Sequence, residues 1–552
     1  MVDYIVVGGG PAGCATAGRL TEDSSVSVML FEQGPRDVNP YIHMPATYFK
    51  TAKGNLLTRY RLQPQRQQNG VTPEMVQGRV LGGGSSVNAM VYMRGCPEDY
   101  DGWAAMGCDG WGYADVLPFF RKAEDNERFS NDAHGTGGPL GVSDQRYTHY
   151  LTKAWLRACQ ELGINFNEDF NSGKQAGCGL YQTTTRDGKR CSAAKAYLYP
   201  ARHRKNLTVK TDSRVVRIVV ENGRAVGVEH VENGQRRIVR AEREVIVSAG
   251  AIGSPHLLML SGIGPAEHLR RAGVPVVHDL PGVGENLQDH MDMFLIYDLT
   301  GEHSYDRYKK LRNQVSAGLQ YALFRSGPVA SNICEGGLVW YGAEDDALPN
   351  LQYHFLPGAG VEEGADETPS GNGLTLNVYQ TRPRSRGTVR LASADPGVAP
   401  LVDPNYLGDP YDAEVLAEGV RIGQEILAQK ALSPYVKAPY RPGGILRTKE
   451  ERIRFVKETG QGALHPSGAC RMGTDALAVV DPTFRVHGLD GLRVADTSIM
   501  PALVSGNTNA PSMMLGERLA DFIQRGASTA VSERTVRFDL DLSRFRQDKI
   551  AS

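Results

Sequence analysis

The chain has 552 residues, more than one hydrophobic core normally holds, so we expect about two domains, which an α/β enzyme can interleave. Its 61 Lys and Arg residues balance 62 Asp and Glu residues to a formal charge of −1, which argues against a nucleic acid partner and favours a small molecule. The eight cysteines show no C-x-x-C pair and no metal-ligand spacing, so we expect free thiols and no metal site.

The first predicted strand begins two residues after the first Met, which leaves no space for a signal peptide. No apolar run approaches the roughly 20 residues that a bilayer span requires. We therefore expect a cytoplasmic protein, with peripheral contact at the inner membrane face as an open alternative.

The first predicted unit is a strand, a glycine turn and a helix. The apolar, β-branched run 4–7 reads as a buried strand, and Gly8, Gly10 and Gly13 after it spell G-x-G-x-x-G. Such a turn allows a pyrophosphate to approach the N-terminus of the following helix. A second strand ends in Glu32, whose carboxylate suits the hydroxyls of an unphosphorylated ribose. The order of these parts predicts dinucleotide binding in preference to an ordinary glycine-rich turn.

A glycine- and serine-rich stretch occupies residues 78–95. Its three consecutive glycines and two serines offer backbone N–H groups and small hydroxyls that can lie against a diphosphate or a flat ring. Because Arg-Val-Leu and Asn-Ala-Met-Val flank it, the stretch indicates an ordered loop leading into a helix, and not a flexible linker. We expect it to form a second wall of the cofactor site.

These residues carry a family resemblance. Residues 78–95 are similar to the first signature of the glucose–methanol–choline (GMC) oxidoreductases, flavoproteins that oxidise alcohols with FAD, and residues 250–264 resemble the second signature. With the N-terminal unit and the C-terminal motifs, the resemblance covers residues 1–525. It implies an α/β fold, α+β overall, in which a Rossmann-like FAD-binding domain is interleaved with a substrate domain built on an antiparallel sheet with helices.

The domain boundaries follow from the resemblance and from a change of pattern after residue 290. Strand-like runs at 293–299, 351–356, 374–380 and 387–391 favour an antiparallel sheet. We assign 1–34, 78–130, 200–290 and 461–526 to the FAD-binding domain, and 35–77, 131–199 and 291–460 to the substrate-binding domain with a lid at 358–373. Residues 527–552 form a tail, predicted either as a strand that pairs with a sheet edge of its own chain or of a second copy, or as a disordered terminus.

The glycine turn and the resemblance together assign the cofactor contacts. The assigned residues are Gly8, Gly10, Gly13, Glu32, Val80, Gly82, Gly83, Ser86, Asn88, Val91, Val215, Ala495, Asp496, Asn507 and Thr508. Some family members attach FAD covalently through a histidine at the position that matches Val87. Valine cannot form that bond, so the resemblance implies noncovalent FAD.

Alcohol oxidation removes a hydroxyl proton and a hydride, so the site needs a base beside an electron acceptor. His465, followed by a proline, lies in the motif where the family carries its catalytic histidine. Asn507 matches a position that holds histidine or asparagine in the family. Asparagine can donate a hydrogen bond to an alkoxide oxygen but cannot titrate, so we expect His465 alone to transfer the proton. The alternative role for Asn507 is a helix cap.

Three further features have two readings each. Glu335 could attract a cationic alcohol such as choline, or it could be a buried acid satisfied by backbone N–H groups. Asp289 and His290 are predicted to be a satisfied structural pair in preference to a catalytic dyad. Residues 305–325 predict an amphipathic helix, which we expect to roof the pocket, with membrane-surface contact as the alternative.

The sequence thus predicts an FAD-dependent enzyme that oxidises an alcohol, in first place a primary alcohol, to an aldehyde by hydride transfer to flavin N5 with His465 as base. The local motifs most resemble the choline-dehydrogenase-like and alcohol dehydrogenase branch, which favours a quinone or another carrier as electron acceptor. The alternatives are an oxidase that uses oxygen, a hydroxynitrile lyase with a structural flavin, and a noncatalytic FAD-binding protein.

Overall fold

The computed structural model describes residues 1–51, 54–343, 346–361 and 365–526. The predicted tail strand, and with it the predicted contact between copies, lies outside the described residues. Part of the predicted lid does as well.

The first sheet contains the N-terminal unit and is parallel at its centre. Apolar strands run side by side there, with Val6 opposite both Leu30 and Ile246. Strand Gln235–Val247 pairs in parallel with Val2–Val7 at one end and antiparallel with Arg224–Glu232 at the other. The order across the sheet is Leu207–Lys210, Val28–Phe31, Val2–Val7, Gln235–Val247, Arg224–Glu232 and Ser213–Glu221, with Leu492–Val494 also paired to Gln235–Val247.

The second sheet is antiparallel, as predicted. Its central strands are buried throughout, and helix Pro410–Leu427 packs against three of them. Gly423 permits this close packing, because a Cβ atom there would lie 2.7 Å from Leu295 Cδ1. The order is Val436–Arg441, Met291–Leu299, Gly373–Gln380, Leu351–Leu356, Gly336–Trp340 and Gly177–Leu180, with Gln461–Gly462 also paired to Met291–Leu299.

Smaller elements surround the two sheets. Two-stranded pairs join Leu57–Arg61 with Glu74–Gly78, Glu124–Asn126 with Leu140–Val142, Thr185–Arg186 with Lys189–Arg190, Ile263–Gly264 with His278–Asp279, and Thr388–Arg390 with Leu401–Asp403. The other α-helices are Pro11–Leu20, Pro40–His43, Tyr48–Thr51, Pro97–Ala105, Tyr113–Ala123, Tyr150–Glu161, Tyr199–Ala201, Gly250–Leu260, Ala266–Arg271, Leu311–Phe324, Lys449–Thr459 and Asn509–Arg525. Single 3-10 turns occur at Pro45–Thr47, Arg66–Gln68, Gly83–Ser86, Tyr305–Lys309, Pro328–Ala330 and Thr497–Ile499, and Ala194–Leu198 is a π-helix.

The segment after residue 460 joins the two sheets. Gln461–Gly462 extends the second sheet, whereas Leu492–Val494 extends the first. One hydrophobic cluster also runs through both, from Val6 and Leu30 to Leu295 and Leu376. The residues between the two short strands, including His465, are therefore held at the junction. The exact domain boundaries remain a prediction.

Helices Pro97–Ala105 and Tyr113–Ala123 are separate, because the chain turns between them at Gly107 and Gly110 with φ of 89° and 79°. One predicted element differs from the structure. The predicted strand at 387–391 is Thr388–Arg390, which pairs with Leu401–Asp403 outside the main antiparallel sheet. Within the described ranges, no helix has both the length and the apolar character needed to cross a membrane.

Candidate active site between the two sheets

A cavity of about 680 Å³ lies where the two sheets meet. Its size falls in the range of about 300–1,000 Å³ that is usual for ligand pockets. Both proposed catalytic residues line it, together with most of the predicted cofactor contacts. The predicted residues that line it are His465, Gly8, Gly10, Glu32, Gly83, Asn88, Val91, Val215, Asp496, Asn507 and Thr508.

The first glycine turn has the geometry that the motif predicts. Gly8 has a φ of 110°, and a Cβ atom there would lie 2.1 Å from the carbonyl oxygen of Ser248. A Cβ atom on Gly10 would meet nothing closer than 3.9 Å, so this glycine faces the cavity. Gly13 does not line the cavity, since a Cβ atom there would lie 2.0 Å from the Gly8 oxygen. Gly13 therefore serves the site by allowing the helix to pack against the turn.

Glu32 is buried at the end of its strand and faces the cavity. Its carboxylate accepts hydrogen bonds from the backbone N–H groups of Gly9 at 2.9 Å and Gly34 at 2.7 Å. Burial outweighs these bonds and raises the pKa of Glu32 to about 7. A carboxylate accepts about four hydrogen bonds, so Glu32 keeps capacity for ribose hydroxyls.

Arg190 fixes the wall formed by the glycine and serine loop. Its guanidinium donates to the Ser85 carbonyl at 3.0 Å and to Asn88 Oδ1 at 2.8 Å. Gly83 and Gly84 line the cavity, and a Cβ atom on Gly84 would meet nothing within 4 Å. This wall was predicted, but the arginine that braces it was not.

Four of the predicted cofactor contacts support this wall and its neighbours from behind instead of lining the cavity. Val80 packs in a small apolar cluster, and the Gly82 N–H donates to the Gly9 carbonyl at 2.7 Å. Ser86 is fully buried and donates to the Leu81 carbonyl at 2.7 Å. Ala495 is held by its N–H bond to Val247 at 2.8 Å. Sequence motifs do not separate these supporting positions from the lining ones, because both kinds lie in the same loops.

The opposite wall of the cavity contains the first residues of two helices, Gly250–Leu260 and Asn509–Arg525. Asp496 accepts hydrogen bonds from the N–H of Gly250 at 2.9 Å and the hydroxyl of Ser254 at 2.5 Å, which joins the C-terminal motif to helix Gly250–Leu260. Asn509 begins helix Asn509–Arg525 and lines the cavity. Its amide oxygen and nitrogen are both buried without a hydrogen-bond partner among the described residues.

These features fit a bound dinucleotide. Gly10 and Gly84 leave room in front of bare backbone, and a Cβ atom on Gly250, whose φ is 85°, would likewise meet nothing within 4 Å. A buried amide such as Asn509 is normally hydrogen-bonded, so its two atoms are suited to a ligand. The walls therefore supply the backbone surface and polar groups that an elongated cofactor such as FAD requires.

His465 lies where the two sheets meet, and its backbone N–H and both ring nitrogens have hydrogen-bond partners. Its N–H donates to Asp289 Oδ1 at 2.7 Å, and its Nε2 lies 3.2 Å from Asn507 Nδ2. Its Nδ1 lies 3.0 Å from Nδ1 of His290. Burial lowers the pKa of His465 to about 4, so the imidazole is neutral near pH 7.

The contacts of His290 assign the tautomer of His465. His290 Nε2 lies 3.1 Å from the carbonyl oxygen of Thr381, so this nitrogen must carry the proton and donate. His290 Nδ1 then accepts, and the proton of His465 lies on Nδ1. The lone pair of His465 is consequently on Nε2, where it accepts a hydrogen bond from Asn507 Nδ2.

The prediction that Asp289 and His290 form a structural pair needs correction. Asp289 accepts from the hydroxyl of Tyr406 at 2.6 Å as well as from the His465 backbone, and burial raises its pKa to about 7. His290 contacts the His465 ring. The two residues thus act separately, and each holds His465.

The possible substrate role of Glu335 is not supported by its position. The residue is fully buried and does not line the cavity. Its carboxylate accepts from Tyr305 Oη at 2.5 Å, Ser331 Oγ at 2.6 Å, Thr152 Oγ1 at 2.6 Å and the His149 N–H at 2.7 Å. Glu335 is the buried, satisfied acid of the alternative reading, although three of its four donors are hydroxyls.

Asp292 is the acid that the sequence reasoning missed. It lies two residues after His290, lines the cavity, and accepts from Asn377 Nδ2 at 3.0 Å. Because side chains alternate along a strand, Asp292 and Phe294 share one face of Met291–Leu299, and both line the cavity. That alternation is the signal that could have identified Asp292.

His354 and Tyr379 complete the surroundings of the proposed base. Tyr379 Oη lies 3.0 Å from His354 Nε2, and the Tyr379 and His465 rings are 6.0 Å apart. Burial, with a smaller effect of His465, lowers the pKa of His354 to about 3. Both residues line the cavity, so a neutral imidazole and an aromatic phenol lie close to His465.

Comparison with protein families assigns most of the chain. Two family models described as GMC oxidoreductase match residues 2–292 and 383–516. The matched segments include the glycine turn, both signatures, His465 and Asn507.

Similar proteins cover nearly the full length. An alcohol dehydrogenase [acceptor] from Pseudomonas putida is 40% identical over 544 residues, covering 98% of each chain. An oxygen-dependent choline dehydrogenase from Sinorhizobium medicae is 43% identical over 525 residues, covering 94% of this chain and 95% of its own. The crystal structure of pyridoxine 4-oxidase from Mesorbium loti superposes with a TM-score of 0.86 at 31% identity and covers 95% of this chain and 100% of its own.

Proposed function

Because the chain belongs to the GMC oxidoreductase family and is an FAD-dependent oxidoreductase of CH–OH groups, we propose that it oxidises a primary alcohol to an aldehyde with His465 as the base. The observation that carries this proposal is the pair of His465 and Asn507, 3.2 Å apart, in the cavity that the cofactor turn also lines. FAD supplies the hydride acceptor when it is bound.

His465 is suited to remove the hydroxyl proton. Its imidazole is neutral because burial lowers its pKa, and its Nε2 carries the lone pair that faces Asn507. A substrate hydroxyl placed between the two side chains would donate its proton to Nε2. Positioned base catalysis of this kind contributes about 10²- to 10⁴-fold to a rate.

Asn507 is suited to hold the oxygen that loses this proton. Its Oδ1 accepts from Gln352 Nε2 at 3.3 Å, which leaves Nδ2 directed toward His465. With a substrate in place, the Nδ2 group can donate to the alkoxide oxygen as negative charge develops there. The amide remains neutral throughout, so proton transfer falls to His465 alone.

The substrate-binding end of the cavity suits an alcohol that carries a positive charge or an apolar body. Asp292 offers a carboxylate, and Phe294, Tyr379 and Phe49 offer aromatic surface. Choline combines a cation with a primary alcohol, and a relative at 43% identity is named for it. We propose choline-like alcohols first and neutral primary alcohols second.

The FAD is proposed to be noncovalent. Val87 lines the cavity at the position of the covalent histidine in some family members, and valine has no nucleophilic atom. Precipitating the protein with acid should release the yellow cofactor into the supernatant. Flavin colour that stays with the pellet would contradict this part of the proposal.

Anaerobic flavin reduction tests the proposed reaction directly. The purified protein should be yellow and should bleach when a primary alcohol is added without oxygen. His465→Gln should keep its flavin but bleach at least about a hundredfold more slowly. Cyanide release from a cyanohydrin without bleaching would instead favour lyase chemistry, and a flavin that no alcohol reduces would favour a binding protein.

For the second half-reaction we propose a quinone or another carrier. The names of the relatives differ on this point, since one specifies an unnamed acceptor and another specifies oxygen. The support within this chain is helix Leu311–Phe324, whose exposed apolar residues are flanked by basic residues and are suited to a lipid surface where quinones dissolve.

A further inference from the structure

Helix Leu311–Phe324 touches the rest of the protein through few side chains. Ala317 and Tyr321, one turn apart, are its buried residues. The Tyr321 hydroxyl donates to the Gly188 carbonyl at 3.0 Å and fixes the inner face of the helix. The expected amphipathic helix is therefore present, but it does not roof the pocket with its apolar face.

The apolar residues of this helix point into solvent. Leu311, Val315, Leu319 and Leu323 recur every four residues with exposed fractions of 75%, 53%, 58% and 71%, and the last residue, Phe324, is 72% exposed. At about 100° per residue, the centre of this stripe lies about half a turn from the Ala317 and Tyr321 face. A surface helix normally buries its apolar stripe against the core, so this reversed orientation marks an interaction surface.

Positive charge accompanies the stripe. Residues 307–334 contain five Lys and Arg residues and no Asp or Glu. Lys309 pairs with Glu367 at 3.0 Å, and Lys310 pairs with Glu302. Arg307 and Arg312 have no carboxylate within 4 Å among the described residues, and Arg325 follows the other end of the stripe. The apolar surface thus has cationic groups at both ends.

We propose that helix Leu311–Phe324 docks the protein on an anionic lipid surface, with the leucine stripe at the boundary between headgroups and acyl chains. Apolar side chains combined with flanking cations are the features that hold an amphipathic helix in that plane. A second copy of the chain is less suitable, because the same face would bring the two basic groups together. The helix has 14 residues and is about 21 Å long, shorter than the roughly 30 Å hydrocarbon core, so it lies on the bilayer.

The docked helix adjoins the substrate side of the cavity. Tyr305 and Tyr308, which precede it, pack in one apolar cluster with Phe49 and Val361. Phe49 and Val361 also line the cavity. Docking would therefore bring this side of the cavity toward the lipid, independently of the chemistry proposed for His465.

Vesicle sedimentation of the full-length holoprotein tests the docking. We expect binding to phosphatidylcholine vesicles that contain phosphatidylglycerol, and binding at least tenfold weaker to phosphatidylcholine alone. The double variant Leu319→Ser/Leu323→Ser should reduce binding at least tenfold. The variant Arg307→Gln/Arg312→Gln should reduce it several-fold at low salt, with the difference disappearing at high salt.

A matched control uses apolar residues elsewhere on the surface. Ile238 and Val277 are 55% and 50% exposed, so Ile238→Ser/Val277→Ser should leave vesicle binding unchanged. All variants should retain wild-type flavin content and alcohol oxidation with a water-soluble acceptor, which shows that they fold. Unchanged vesicle binding by the leucine variant would overturn the proposal. A lipid-independent dimer that this variant dissociates would overturn it in favour of contact between copies.

Discussion

His465 is a neutral imidazole with a fixed tautomer. Burial lowers its pKa to about 4, and the contact with His290 leaves its lone pair on Nε2. The base form is therefore already populated well below the ordinary histidine pKa of about 6.5. We expect kcat/KM for a neutral alcohol to remain on its plateau down to about pH 6 and to fall only at lower pH. A limb centred above pH 7 that vanishes in His465→Gln would contradict this assignment.

His290 is a positioning residue, because it acts on the proposed base and not on the cavity. In His290→Phe the ring shape is retained but the acceptor for His465 Nδ1–H is lost, so the Nε2 tautomer is no longer fixed. We expect kcat to fall about tenfold to a hundredfold with unchanged flavin content. His290→Asn retains an acceptor oxygen and should recover part of the loss. Equal activity of the two variants would indicate a purely steric role.

Asp292 and Glu335 offer a comparison of two buried acids. Asp292 lines the cavity, whereas Glu335 is enclosed by its four donors. Asp292→Asn should raise KM for choline by about tenfold relative to a neutral primary alcohol, as expected for loss of one partly desolvated charge interaction. Glu335→Gln should leave that ratio unchanged and lower thermal stability instead. A change in the ratio with Glu335→Gln alone would return the cation role to Glu335.

The residue-level outcomes show what motifs can report. His465 and Asn507 were predicted because each lies in a local pattern with a chemical requirement. The partner of His465 was missed because His290 is 175 positions away, and only the paired sheets bring the rings together. Glu335 was placed near the pocket because three of its four donors, His149, Thr152 and Tyr305, come from distant segments and leave no local pattern.

At the scale of elements, the parallel strands Glu124–Asn126 and Leu140–Val142 flank a buried charge network. His134 Nδ1 lies 2.9 Å from Glu124 Oε1, and His134 Nε2 lies 2.9 Å from Asp169 Oδ2. The Arg94 guanidinium lies 2.6 Å from Glu124 Oε2. Burial opposes the charged imidazolium, but the hydrogen bonds to Asp169 and Glu124 outweigh it and raise the pKa of His134. When the ring is protonated, its charge balances the second carboxylate in the network.

This raised pKa makes stability depend on pH in a defined direction. A group whose pKa is higher in the folded state stabilises fully below its unfolded pKa, about 6.5 for histidine, and loses that contribution as pH rises through its folded pKa. His134→Gln should therefore destabilise the protein most below pH 6.5, by roughly 3–5 kcal/mol for a broken buried pair, and less at pH 9. Urea unfolding of the wild type and the variant below pH 6.5 and at pH 9 measures this difference in the free energy of unfolding. The exposed His203→Gln is the control, and a pH-independent loss in His134→Gln would contradict the linkage.

Periodicity predicted which elements form but not which way they face. The strands of the second sheet were identified because they are short, apolar and bounded by turns. For helix Leu311–Phe324 the four-residue repeat of apolar residues is the same whether the stripe meets the core or the solvent. Its outward orientation follows from the burial of Ala317 and Tyr321, and the Tyr321 hydroxyl is held by the carbonyl of Gly188 in a distant turn.

At the scale of the whole molecule, the site exists because one segment belongs to both sheets. Gln461–Gly462 pairs with the antiparallel sheet, and Leu492–Val494 pairs with the first sheet. His465 lies between these two strands and therefore lines the same cavity as the glycine turn. The fold class and the family could be predicted from the two signatures. The interleaving could not be derived from pattern alone, because it depends on pairings such as Val245 with Leu492 across 247 positions of the chain.

The orientation of the whole molecule at a lipid surface leads to a prediction about the electron acceptor. If helix Leu311–Phe324 docks as proposed, the substrate side of the cavity faces the phase in which long-chain quinones dissolve. We expect anionic vesicles that carry a long-chain quinone to support faster turnover than air-saturated buffer does. Leu319→Ser/Leu323→Ser should lose this advantage, while turnover with a water-soluble quinone stays at the wild-type rate. Steady-state assays with and without each quinone, with hydrogen peroxide measured in parallel, provide the test. Stoichiometric peroxide at a rate equal to the quinone rate would make oxygen the acceptor, and the proposed roles of His465 and Asn507 would be unaffected.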